Sequence, residues 1–336
     1  MPTSREWQLV RRPQGWPVHE DFRLASVEVP DEPPGGHVLV RNLVMSVDPY
    51  MRGRMNDAKS YAAPYQLDEA MYGGAVGVVE ASTSERLPAG TVVRHGLGWR
   101  EWAAVPVRQC EPVDPEGDGV PASAYLGFLG MPGLTAWVGV FDIAEVRPGE
   151  TLFVSAAAGA VGSVAGQLAK LAGLRVIGSA GTPEKVEWLR KLGFDAAFNY
   201  HDGEVTKQLA AAAPEGIDCY FDNVGGDHLR AALAVINPFG RIAECGMIAA
   251  YNEAVPGPDN LFFIVGKKLT VRGFIVSDHA HREPVFRKHV SSLLRDGKLR
   301  HEETHRTGIE SALDALLDVL HGGKHTGKMV VDLSDR

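Results

Sequence analysis

The stretch TLFVSAAAGAVGS, residues 151–163, constrains this chain more than any other. An apolar, strand-like run breaks into small residues and glycine, and the helix-like VGSVAGQLAKLAG follows at once. The spacing Ala157-x-Gly159-x-x-Gly162 fits a phosphate-binding turn between a strand and a helix, with alanine in place of the first glycine. Here Gly159 lets backbone approach a pyrophosphate, and Gly162 lets the helix pack close to the strand. The unpaired N–H groups and dipole at the helix N-terminus favour an anion. Glycines alone would equally make a tight structural turn; the strand before and the helix after favour a nucleotide.

Beyond Pro148-Gly149 the pattern alternates. RVIGSA and IDCYFDNV read as strands, and TPEKVEWLRKLG and DGEVTKQLAAAAPEG as helices, the sequence form of βαβ units on a parallel sheet. The first ~125 residues instead carry short β-branched runs between Pro and Gly, such as HVLVRNLVMSV and GGAVGVVEAS, an all-β signature. From about residue 300, GIESALDALLDVLHGG reads as an amphipathic helix and GKMVVDL as a last strand, which returns most simply to the N-terminal unit. The expected fold is α/β: a Rossmann doubly wound parallel sheet over 128–299, plus a β-rich domain over 1–127 completed by 300–336.

An acid ~20 residues past the glycine turn holds the ribose hydroxyls of NAD. Gly178-Ser179-Ala180-Gly181 stand there instead, with Lys185 on the next helix. Small residues leave room for a 2′-phosphate, and a cation or hydroxyl pairs with it, so the reading is NADPH. The other possibility is a solvated Lys185, with Glu184 beside it opposing a phosphate.

With 45% hydrophobic and 23% charged residues, the composition is that of a soluble globular protein. A net charge of −8 argues against a nucleic-acid binder, though one local basic pocket remains compatible with it. Cys110, Cys219 and Cys245 form no CxxC pair and suit a reducing compartment. MPTSREWQLVRRP lacks the apolar core of a signal peptide, and no run approaches the ~18 apolar residues of a membrane span. A cytoplasmic location is expected, with no membrane partner.

The segments SVDPYMRGRM (46–55), GMPGLTAW (130–137), AAAGAVGSVAGQLAKLAG (156–173), KLGFDAAFNY (191–200) and DCYFDNVGG (218–226) occur in an order that resembles a known family. It is that of the zinc-free, NADPH-dependent alkenal and 15-oxoprostaglandin reductases (leukotriene dehydrogenase-like) of the medium-chain dehydrogenase/reductase superfamily. Bacterial curcumin-reductase-like members look especially similar. The resemblance covers nearly the whole chain and implies a GroES-like catalytic domain ahead of the Rossmann domain. It also implies cofactor contacts. Gly159, Ala160, Val161 and Gly162 would carry the pyrophosphate, and Ser179, Lys185 and Tyr200 would surround the 2′-phosphate. Asn223 would lie on the cofactor. Cys245, Gly246, Met247 and Tyr251, with Phe274, Ile275 and Val276, would line the nicotinamide half. In GGKHTGK, His325 stands where the family often has Asn in a tail contact, so that contact is open. A homodimer is the form common among such relatives.

The stretches where zinc-dependent relatives carry ligands read LVMSVDPY and YGGAVGVV, without Cys or His, and no four-Cys lobe is present. His279 and His281 are two apart with no third ligand and read as loop histidines, so no metal is expected. The chemistry expected is reduction of the C=C bond of an α,β-unsaturated ketone or aldehyde. Hydride goes to the β-carbon and a proton to the α-carbon, while donors stabilise the developing oxyanion. Tyr251 and Tyr50 are the candidate donors or orienting groups; either phenol would otherwise only wall the cleft. Asp48 reads as a cap before Pro49, and Arg52 and Arg54 as solvated or facing an acidic substrate. Cys245 lacks a His partner and is not expected to be a nucleophile, while Met131 and Thr135 either touch the nicotinamide or pack the domain junction. Two alternatives remain, an NADPH quinone oxidoreductase and an NADPH-binding protein without turnover.

Overall fold

The computed structural model describes residues 3–333. The chain divides into two compact units: Phe128–Glu302, and the segments that flank it on either side.

In the flanking unit, Thr3–Leu9 and Phe22–Glu28 form an antiparallel pair. The main sheet runs Glu303–Thr307, Lys328–Asp332, His37–Ser46, Ala75–Ser82, Val92–His95, Glu111–Pro112, with Trp102–Pro106 also paired to His37–Ser46. The last strand of the chain therefore lies antiparallel to His37–Ser46, Val330 opposite Ser46. One face packs a core rich in Met45, Met51, Met55 and Met71 around Trp99, closed by Leu313, Leu316 and Leu320. These leucines share one face of the helix Ala312–His321, which ends at Gly322 in the left-handed region.

A buried ion pair sets the turn ahead of Tyr50. Lys328 Nζ lies 3.1 Å from Asp48 Oδ1 and donates to the carbonyls of Val47 and Met329, both at 2.8 Å. The Ser46 hydroxyl also donates to Asp48. The sequence suggested that Asp48 caps the turn before Pro49. Only its carbonyl does so, accepting the Met51 N–H at 3.2 Å, because the carboxylate turns inward to neutralise a lysine just 3% exposed.

The other unit holds six parallel strands, numbered here within this unit: β1 Thr151–Val154, β2 Arg175–Ala180, β3 Ala196–Asn199, β4 Ile217–Asp222, β5 Ile236–Glu244 and β6 Thr270–Gly273. Their order is 3-2-1-4-5-6, every pair parallel. Its helices include α1 Met131–Val138, α2 Gly162–Leu171, α3 Pro183–Lys191, α4 Val205–Ala212, α5 Gly226–Val235, α6 Phe262–Gly266 and α7 Glu283–Arg295. Strand order reverses between β1 and β4, and in open α/β sheets the crevice beyond such strand ends is where ligands bind. The side chain of Gln167 clamps the backbone of Arg300, donating to its carbonyl and accepting its N–H at 2.8 Å each, so the chain stays with this unit to Glu302.

Asp48→Asn leaves the Lys328 ammonium buried against a neutral amide, and Lys328→Met leaves the carboxylate alone. Each is expected to destabilise by about 3 kcal/mol or more, and the double variant by less than the sum. Urea unfolding midpoints of the four proteins check this.

Candidate active site

At the β1–α2 turn the two glycines do different things. A Cβ on Gly162 would sit 2.5 Å from the Ala156 carbonyl oxygen and 2.8 Å from Ala157 Cα, so the fold itself demands glycine there. A Cβ on Gly159 would meet only the Ala156 oxygen, at 3.3 Å, so the fold demands little. Ala156 adopts φ 46°, which turns the chain sharply off the strand. Gly159, Ala160 and Val161 are half-exposed, and among the described residues the N–H groups of Val161 and Gly162 make no backbone hydrogen bond. They crown a ten-residue helix, a local concentration of donors and positive dipole.

Beside this crest, the end of β2 meets Tyr200. A Cβ on Gly181 would lie 2.8 Å from the Tyr200 hydroxyl, so the phenol lies directly over the glycine. Thr182 caps α3, its hydroxyl accepting the Lys185 N–H at 3.3 Å. Lys185 is 7% exposed rather than spread into solvent, and burial holds its ammonium below the ordinary lysine value. Burial likewise raises the Tyr200 phenol. Ser179 is different: it is fully buried and its hydroxyl has no partner. It stands opposite Phe198 in the register of β2 and β3, beneath the surface that Gly181 and Lys185 reach.

The ends of β1, β4 and β5 meet around Asp222. Its Oδ1 accepts from the Ser155 hydroxyl (3.1 Å), the Tyr220 hydroxyl (2.7 Å) and the N–H groups of Val224 (2.7 Å) and Gly225 (2.8 Å). Its carbonyl accepts the N–H groups of Cys245 (2.9 Å) and Gly246 (3.0 Å). Asn223 adds its amide, Nδ2 donating to the Ser155 carbonyl at 2.8 Å. Tyr251 follows a short turn, and a Cβ on Gly246 would lie 3.2 Å from its hydroxyl. Asn223, Gly246 and Tyr251 are thus gathered at one place, with Met247 exposed beside Gly225. The Cys245 thiol is pushed up to about 12, by burial first and then by Asp222 and Glu244, which makes it no nucleophile. Phe274 continues this edge, its ring edge-on to Phe221 at 6.4 Å, and half-buried Ile275 and Val276 follow. Thr135 bonds back to the Met131 carbonyl within its own helix at 2.7 Å.

Tyr50 and His325 belong to the flanking unit. The Arg54 guanidinium lies 4.6 Å from the centre of the Tyr50 ring and 5.1 Å from that of Tyr72. Burial, then the charge of Asp48, raises the Tyr50 phenol, so it stays neutral. Arg52 is buried and spent on the fold, donating to Asn56 and to the Gly15 carbonyl at 2.7 Å each. His279 and His281 stack at 6.1 Å, and among the described residues no three His, Cys, Asp or Glu side chains gather as a metal site. Sequence reasoning overlooked the central place of Asp222 and its neighbour Glu244. The one available signal was an acid closing each of two apolar strands.

A glycine crest at the switch point of a 3-2-1-4-5-6 sheet, in a chain whose end returns to a β-rich unit, defines a two-unit protein with a dinucleotide-binding fold. Residues 5–113 match the family described as the N-terminal domain of oxidoreductase, and residues 160–292 the family described as zinc-binding dehydrogenase. The NADPH-dependent curcumin reductase of Escherichia coli is 39% identical over 98% of this chain and 96% of its own length. The NADP(+)-dependent 2-alkenal reductase of Nicotiana tabacum is 40% identical over 95% and 94%. The crystal structure of CurA from Vibrio vulnificus in complex with NADPH matches with a TM-score of 0.92 at 39% identity, over 99% of this chain and all of the other. The chain belongs to the medium-chain dehydrogenase/reductase family, among the relatives of these reductases.

The two glycines yield a contrast in stability. Gly162→Ala is expected to cost about 1–3 kcal/mol by overpacking, and Gly159→Ala less than about 1 kcal/mol. Chemical denaturation of the two variants without added nucleotide checks it.

Proposed function

We propose that this chain uses NADPH to reduce the C=C bond of α,β-unsaturated ketones and aldehydes. The observation that carries the cofactor reading is the crest at residues 159–162, where N–H groups without a backbone acceptor among the described residues follow a glycine that the fold does not require. The nearby chemistry suits a 2′-phosphate: a partly desolvated Lys185, the Tyr200 hydroxyl over Gly181, and no carboxylate at the end of β2. Pyrophosphate would rest on Gly159, Ala160, Val161 and Gly162. Lys185 and Tyr200 would hold the 2′-phosphate, with Ser179 supporting from beneath. Asn223, Cys245, Gly246, Met247, Phe274, Ile275 and Val276 would border the nicotinamide. Two relatives named for curcumin and 2-alkenal reduction, each matched over nearly full length, support the substrate class.

NADPH supplies the hydride that reaches the β-carbon of the enone. The protein has to hold the carbonyl still, donate to its oxygen as negative charge develops, and let a proton reach the α-carbon. Tyr251 is assigned as that donor: its hydroxyl lies beside Gly246, within the group of residues that would border the nicotinamide. Tyr50 is assigned an orienting role, as a neutral phenol under Arg54. The reaction is read as zinc-independent.

A homodimer is proposed through β6, the edge of the parallel sheet. Its residues, Val271 among them, are all exposed, and Leu261, Phe262 and Val265 add exposed apolar surface beside it. An open apolar edge invites pairing with a second copy. The cytoplasm is proposed as the compartment, on the strength of three free cysteines. Among the described residues no helix is long and apolar enough to cross a membrane.

The test is the initial rate of NADPH and NADH oxidation with an alkenal, an aryl enone, a quinone and a saturated ketone. NADPH-selective turnover of the enal and enone, undiminished after chelator washing, is expected. Turnover of the quinone alone would replace this reading, and tight NADPH binding with no acceptor would remove the enzyme. Lys185→Ala should weaken NADPH binding about 10- to 100-fold while leaving NADH nearly unchanged. Tyr251→Phe should lower kcat by up to about 100-fold with NADPH affinity retained. Light scattering should give twice 36.2 kDa, and Phe262→Asp with Val265→Asp should halve it.

A further inference from the structure

Glu244 closes β5 directly beside Asp222, its register partner on β4, so the two side chains leave the sheet on the same face. Both Glu244 oxygens and Asp222 Oδ2 are buried, and none has a hydrogen-bond partner among the described residues. Two carboxylates can only accept, so while both are charged these oxygens stay unsatisfied and repel. One proton changes this: Glu244 becomes an O–H donor facing a carboxylate acceptor, and the orphaned atoms satisfy each other. The proton rests on Glu244, because four donors already favour the charge on Asp222.

We propose that Glu244 is a positioning residue which, as a neutral carboxylic acid, donates to Asp222 and so holds the Cys245–Met247 segment in register with the β4–α5 turn. Asp222 carries both: Val224 and Gly225 on its carboxylate, Cys245 and Gly246 on its carbonyl. Deprotonation puts a second negative charge against the residue on which three strand ends converge. Burial first, then the Asp222 charge, pushes Glu244 up to about 8. At Asp222 burial also raises, and the donors oppose it. The other titratable groups around the pair are Tyr220 and Cys245, both raised and therefore neutral. On the β6 side Gly273 stands opposite Glu244, Phe274 N–H donates to its carbonyl at 3.3 Å, and Arg272, one register step away, is exposed.

The sign follows from linkage. A glutamate titrates at ~4.3 when unfolded, so the stability that neutral Glu244 contributes is complete below that value. It is lost as pH rises to about 8. Glu244→Gln keeps the shape and supplies an amide donor to Asp222 that does not titrate.

The first experiment compares melting temperature against pH for wild type and Glu244→Gln, without nucleotide, from ~5 to ~9. The expected result is a wild-type Tm that falls relative to the variant across this range and levels off above about 8. Parallel curves would overturn the proposal. The second experiment follows NADPH affinity by fluorescence. Wild type should lose up to about tenfold per pH unit on the alkaline side beyond what Glu244→Gln loses, and equal pH profiles would overturn the positioning role. Should the variant not fold, infrared titration of wild type decides: a carboxylic acid C=O band present at neutral pH must vanish on alkaline titration, and its absence at neutral pH sinks the idea. The affinity arm rests on the NADPH reading above, whereas the melting and infrared arms do not. Failure of NADPH to bind at any pH would therefore strike that reading and leave the shared proton standing.

Discussion

Asp222 is the point on which the nucleotide-binding unit turns. A single fully buried carboxylate gathers donors from the end of β1, from its own strand and from the next turn, while its carbonyl holds the end of β5. Parallel strands in this arrangement do not by themselves fix how their C-terminal loops sit; ladder bonds stop where the strands stop. Taking one acid out of water is costly unless its oxygens are satisfied, and satisfying them here requires three chain segments in one geometry. The cost of burial becomes the specification of the crest. Asn223 repeats the device with an amide, tying the β4 end to the Ser155 carbonyl.

The same logic separates two kinds of residue at the glycine turn. Gly162 answers to packing inside the fold, since any Cβ collides with Ala156 and Ala157. Gly159 answers to little inside the fold, and after it come N–H groups with no backbone acceptor among the described residues. Bare donors at a helix N-terminus are tolerable in water but become valuable when an anion takes the water's place. A structural turn would have no use for both features together. The crest and Lys185 therefore point the same way, although they are carried by different elements.

Much of this was legible in the sequence, for reasons that are local. The alternation of strands and helices after Gly149, the glycine spacing and the final strand all depend on patterns within a few residues, and the parallel sheet follows from them. What depends on distant partners was not legible. Asp48 looked like a turn cap because Pro49 is next to it, whereas its partner Lys328 is 280 positions away. That Ser179 is fully buried, opposite Phe198 in register, depends on strand pairing and could not be read from the small residues around it. Arg52 looked like a surface cation and is held by Asn56 and Gly15. Lys185 read as either solvated or facing a phosphate, and its burial depends on neighbours that the local pattern does not show.

Glu244 marks the limit of pattern reading most clearly. In RIAECG it is an ordinary acid where a strand meets a loop, and loops are expected to be polar. Only strand register brings it against Asp222, and only the hydrogen-bond inventory shows that Asp222 Oδ1 is fully engaged while Oδ2 and both Glu244 oxygens are left over. Two acids in one buried place cannot both remain charged at small cost, so the pair has to carry a proton that neither residue would hold alone. That proton belongs to the architecture of the crest, as the Lys328 ammonium belongs to the turn before Tyr50. In both units a buried charge is stabilised by a partner from another strand, and in both the pairing fixes the backbone just ahead of a tyrosine, Tyr50 in one and Tyr251 in the other.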